Sequence, residues 1–136
     1  MHTTNYLETF IETAEDCPVE KAEIPPLKNG EKTIAFIHYD LIINNPYEYT
    51  SDDVIFNTFV QKNNIGKENL EAERIKFFSK GQACLRSSPL TKRYGWGVHS
   101  DKDGKVAIYP MESKEYKKYC NSKLLKHLKG MRTKRK

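Results

Sequence analysis

Residues 97 to 109 constrain the fold of this chain more than any other stretch. Asp101-Lys102-Asp103-Gly104 separates two short segments, 97–100 and 105–109. Asp-Gly there supplies the positive φ that a tight turn between antiparallel strands requires. Alternation along the two segments puts Val98, Val106 and Ile108 on the face turned to the core. A hairpin in the C-terminal half is therefore the anchor of the expected fold.

Elsewhere the periodicity is helical. Thr33 opens a helix in which Ile34, Ile37, Leu41 and Ile42 fall on one face, and Asn44, Asn45 and Pro46 stop it. Ser51, followed by Asp52 and Asp53, reads as a helix cap with carboxylates at the positive end of the dipole. That helix is expected to run to about Lys62 and to bury Ile55, Phe56, Phe59 and Val60. A third helix is expected over 67–79, burying Leu70, Ile75 and Phe78 or Phe77. Ser113 would cap a last one, in which Tyr116, Cys120, Leu124 and Leu128 repeat every four residues and Asn121 and Ser122 mark a possible break. Residues 15–31 carry Pro18, Pro25, Pro26 and Gly30, a loop that no helix could cross. Over 6–14, Leu7, Phe10, Ile11 and Ala14 fit a helical face, while the β-branched Thr9, Ile11 and Thr13 favour a strand. The reading is one α+β domain over 1–131: a small antiparallel sheet built on the hairpin, open to residues 6–14, packed against about four helices. A basic disordered tail, 132–136, would follow.

A chain of 136 residues can bury one core, and eight Tyr, six Phe and Trp96 supply the apolar area that disorder would lack. No run of about eighteen apolar residues occurs, and the first residues lack a signal-peptide layout, so a cytoplasmic protein without membrane contact is expected. Cys17, Cys84 and Cys120 show no disulfide or zinc spacing and read as small buried hydrophobes. His2, His38 and His99 show no metal spacing either, so neither a metal nor a cofactor is expected.

Charge is unevenly placed. Residues 1–79 carry seven Lys/Arg against fourteen Asp/Glu, whereas 114–136 carry ten against one. This field favours anionic partners, or else the basic end neutralises the acidic half within a monomer or across a homodimer.

Residues 80–99, KGQACLRSSPLTKRYGWGVH, concentrate donors, cations, a thiol and an imidazole. Ser87 and Ser88 precede Pro89 in extended or turn geometry, and Arg86, Lys92 and Arg93 could join them around a phosphate or carboxylate. The plainer alternative makes the serines a turn and leaves the cations in solvent. Trp96 between Gly95 and Gly97 is expected in the core rather than as a stacking platform. Cys84, Tyr94 and His99 are the candidates for nucleophilic or acid–base work, although no third orienting group accompanies Cys84 and His99. Whether the chain is an enzyme stays open.

FIETAEDCP at 10–18, NPYEYTSDDVIF at 45–56, KGQACLRSSPLTKRYGWGVHSD at 80–101 and the final GMRTKRK together resemble a small bacterial family of unknown function, the one numbered 6157. The resemblance spans nearly the whole chain. It implies a compact bacterial cytosolic domain and brings no activity, cofactor or catalytic residue.

Two function classes follow. The favoured one is an anion-binding site around 84–99, formed by Arg86, Ser87, Ser88, Lys92 and Arg93, for a small phosphate- or carboxylate-bearing molecule, with an enzyme using Cys84 or His99 as a variant. Less favoured is a nucleic-acid module, because three helices followed by a hairpin is the winged-helix order. Glu68, Glu71 and Glu73 on the third helix oppose that reading.

Overall fold

The computed structural model describes residues 1–133. Its elements run β1 (Thr9–Glu12), α1 (Ile34–Ile43), α2 (Ser51–Asn63), α3 (Leu70–Phe77), α4 (Pro89–Lys92), β2 (Trp96–Ser100), β3 (Val106–Pro110), α5 (Lys114–Cys120) and β4 (Lys126–Lys129). The fold is α+β, with the four strands in the order β3-β2-β1-β4.

The hairpin forms as expected. Asp101 Oδ1 accepts the amide protons of Asp103 and Lys105, both at 2.9 Å, and Gly104 sits at φ +79°. Val98 pairs with Ile108 and Ser100 with Val106, while on the other side of β2 Val98 pairs with Ile11. Residues 6–14 thus contribute a strand, and Ile11, Val98 and Ile108 form a row across three strands. Against this row pack Ile42 of α1, Val54 of α2, Leu85, Leu90 of α4 and Trp96. Burying each such side chain contributes about 1.5–3 kcal/mol. Trp96 is a core residue, and its indole N–H donates to Glu23 O at 2.9 Å, which ties the proline-rich loop to the core.

The sheet is mixed rather than purely antiparallel. The last helix does not continue to Leu128: α5 ends at Cys120, Leu124 is 90% exposed, and Leu128 lies on β4, parallel to β1 opposite Ile11. A helix through 128 would leave the outer edge of β1 unpaired. The strand instead satisfies those backbone groups, with Lys126 N–H on Glu8 O and Gly130 N–H on Glu12 O. β2 therefore lies between β1 and β3, and the hairpin is part of a sheet rather than a projecting wing.

Two helices differ from expectation in detail. Thr50, not Ser51, caps α2: its hydroxyl accepts from Asp53 N–H while the Asp53 carboxylate accepts from Thr50 N–H, a reciprocal box. The buried positions of α2 are Ser51, Val54, Phe56 and Thr58, so Phe56 is buried as expected while Ile55, Phe59 and Val60 are only partly covered. No residue of α3 is buried: Ile75 is 54% exposed, and the buried Phe78 is the residue that caps the helix, which is preceded by a 3-10 turn, Lys67–Asn69. The three cysteines are half-buried rather than fully enclosed.

The opposite sheet face carries Phe10, Gly97, His99 and Tyr109. There α5 lays Tyr116 edge-on to Phe10, with ring centroids 5.1 Å apart. Gly97 permits this approach, since a Cβ at that position would fall 2.6 Å from both rings.

Part of the basic C-terminal segment meets the acidic half directly. Lys129 and Arg132 pair with Glu15, and Thr133 N–H donates to Asp16. Of the expected tail, Arg132 and Thr133 are thus engaged, and residues 134–136 lie outside the described residues. Among the described residues no helix is long and apolar enough to cross a membrane.

Candidate functional site: an apolar groove with a cationic end

Where α1 and α2 face the 3-10 turn Leu85–Ser87 and α4, the surface opens into a groove of two lobes. The first, about 430 Å³, is lined by Lys62, Lys92, Arg93 and Tyr94 together with Thr33, Ala35 and Ser87. The second, about 450 Å³, is lined largely by Ile55, Phe59, Ala83 and Cys84, with His38 and Ser88. Ile34, Lys62, Ser87 and Pro89 border both, so the lobes adjoin. Each is of the size that small-molecule sites occupy.

Local chemistry explains how the walls are built. Ser88 precedes Pro89, takes extended geometry and caps α4, its Oγ accepting from Leu90 N–H at 3.2 Å. That placement brings Ser88 Oγ to 2.8 Å from Nδ1 of His38, on α1. Both residues are buried, His38 being 6% and Ser88 3% exposed. Burial pushes the His38 pKa down to about 4, so the ring is neutral at neutral pH.

The residues singled out from the sequence separate into four places. Ser87, Lys92, Arg93 and Tyr94 line the cationic lobe, and Ser88 and Cys84 line the apolar one. Ser87 also directs its hydroxyl to Met131 Sδ. No acidic residue lines the cationic lobe, and among the described residues neither Lys92 nor Arg93 has an ion-pair partner. Arg86 leaves the cluster: its Nε donates to Lys129 O at 2.7 Å and its carbonyl accepts from Met131 N–H, so it fastens the end of β4. Cys84 lies 3.4 Å from the Tyr6 hydroxyl, an interaction that raises the phenol pKa.

His99 is on the far side of the sheet, so the nucleophile–base pairing of Cys84 with His99 does not form. Its Nδ1 lies 2.7 Å from Tyr47 OH, its ring stacks on Tyr119 at 4.3 Å between centroids, and Tyr47 OH lies 2.8 Å from Tyr109 OH. Tyr47 adopts φ +60°, an unusual value for a bulky residue. Burial lowers the pKa of His99 and raises that of Tyr47, which keeps both neutral. Among the described residues no group of three or more His, Cys, Asp or Glu is placed to hold a metal ion.

Two groove residues escape the sequence reading. Lys62 looks like an ordinary basic residue in the last turn of a helix. His38 had a signal: it is a titratable residue among the apolar positions of α1.

The model of a family of unknown function (DUF6157) matches residues 1–136. No curated protein and no solved structure matches the chain.

Proposed function

Because the chain belongs to DUF6157, a family of unknown function, we propose a function from the groove alone: the protein binds an amphipathic anion, with the carboxylate or phosphate in the cationic lobe and the apolar body in the adjoining one. The observation that carries this reading is the convergence of Lys62, Lys92 and Arg93 on one depression with no acidic residue in its lining. Like charges held together repel, and a bound anion relieves the repulsion while accepting charge-assisted hydrogen bonds, bidentate ones from Arg93. Alongside, Ile55, Phe59 and Ala83 offer the apolar contact that a free inorganic anion would not use.

Calorimetric titration with dodecanoate tests the reading. The expected result is binding that falls at least about tenfold in Lys92→Ala/Arg93→Ala, the loss of charge-assisted contacts. Acetate binding as tightly as dodecanoate would remove the role of the apolar lobe. Undiminished binding in the double variant would overturn the proposal. A nucleic-acid partner would instead show steep weakening with salt and no dependence on an alkyl chain.

A further inference from the structure

The apolar lobe contains one enclosed polar group whose bonding is incomplete. His38 makes a single side-chain hydrogen bond among the described residues, between Nδ1 and Ser88 Oγ. Among the described residues no buried side-chain nitrogen or oxygen lacks a partner, so Nε2, which has none, must reach open space. The space that His38 lines is the apolar lobe.

Proton counting settles what Nε2 presents there. Ser88 Oγ already accepts from Leu90 N–H at 3.2 Å. Its own proton needs an acceptor, and the partner within reach is His38 Nδ1 at 2.8 Å. If Nδ1 carried the ring proton, the Ser88 hydroxyl would have two donors pointing at it and its own proton would have no acceptor among the described residues, in a residue 3% exposed. The arrangement that satisfies every group has Ser88 donating to Nδ1, which fixes the ring as the Nε2–H form. Of the other polar groups along this lobe, Thr58 donates its one hydroxyl proton to Val54 O, Asn63 and Gln82 each commit one amide proton to Phe59 O and Phe77 O, and Lys62 borders the cationic lobe as well.

Resting on the amphipathic-anion reading above, we propose that Nε2–H of His38 is a specificity donor, and that the ligand class is an amphipathic anion carrying a neutral oxygen acceptor, a ketone or ester carbonyl, within its apolar body. A plain alkyl chain covering Nε2–H would strip its water and return nothing, whereas a carbonyl would replace the lost bond. Ser88 acts through His38 as a positioning residue, because it selects the tautomer.

The test compares dodecanoate with 4-, 6- and 8-oxododecanoate, which scan a carbonyl along the same chain. In the wild-type protein one oxo-acid is expected to bind about tenfold more tightly than dodecanoate. In His38→Phe, which keeps a ring of similar size, the ratio of oxo-acid to dodecanoate affinity is expected to fall to about one. Equal affinity for all four acids in the wild-type protein, or a preference that survives in His38→Phe, overturns the proposal and leaves the amphipathic-anion reading standing. Failure of all four acids to bind the wild-type protein defeats both. The ring nitrogens of wild-type His38, read by nitrogen-15 NMR, give a check that needs no variant: the expected spectrum shows a protonated Nε2 and a bare Nδ1, and a protonated Nδ1 overturns the assignment.

Discussion

The Tyr47 hydroxyl sits 2.7 Å from His99 Nδ1, on the sheet face turned away from the groove. It also meets Tyr109 OH at 2.8 Å, so one phenol links the loop after α1 to both strands of the hairpin. Tyr47→Phe is expected to cost about 1 kcal/mol of stability, the usual worth of such a bond. Urea unfolding would measure it, and an unchanged midpoint would show that the link is idle.

Acid should weaken the protein in a defined direction. His38 titrates near 4 in the folded chain, and a free imidazole near 6.5. Between those values the unfolded chain binds more protons, so this stability is complete above about pH 6.5 and is lost as the pH falls toward 4. The expected loss from His38 is about 3 kcal/mol. His99 adds in the same direction, since burial lowers its pKa too. Urea midpoints at pH 7 and pH 4.5 should differ less in His38→Phe than in the wild-type protein.

Gly97→Ala should destabilise the sheet by about 1–3 kcal/mol, the range for forcing a methyl group into a packed interior. The added Cβ would meet Phe10 and Tyr116 at 2.6 Å. Thermal unfolding would show a lowered Tm, and an unchanged one would mean that α5 can move off the sheet at no cost.

Glu15→Gln should loosen the C-terminal segment without unfolding the core. Glu15 accepts from Arg132 and Lys129, and those cations hold its pKa below the usual carboxylate range. Amide exchange at Gly130 and Met131 is expected to quicken in the variant, with Val98 and Ile108 unaffected. The wild-type protein should show the same loosening as the pH falls through the depressed carboxylate pKa.

What could be read from the chain was local. Asp103-Gly104 with its flanking alternation gave the hairpin, and the Ile34, Ile37 and Ile42 spacing gave α1. The parallel strand β4 was hidden because Tyr116, Cys120, Leu124 and Leu128 keep a helical spacing, while what favours the strand is an unpaired edge more than a hundred positions earlier in sequence, as Thr9 opposite Lys126 records. The cationic lobe was legible in Lys92 and Arg93, which stay near each other whatever the fold. Arg86 looked equivalent, but a backbone carbonyl of β4 claims it. Lys62 and His38 joined only through the packing of α1 and α2 beside α4, a juxtaposition that no short window contains.

The placement of β1 has a kinetic consequence. It precedes every other strand in the chain, yet its partners are β2 and β4, at Trp96–Ser100 and Lys126–Lys129. Both of its edges therefore wait for segments made much later, and closing such long loops is slow compared with forming α1 or α2. During synthesis the helices can form while β1 stays unpaired, an exposed edge that invites association with other nascent chains until β4 emerges and covers it.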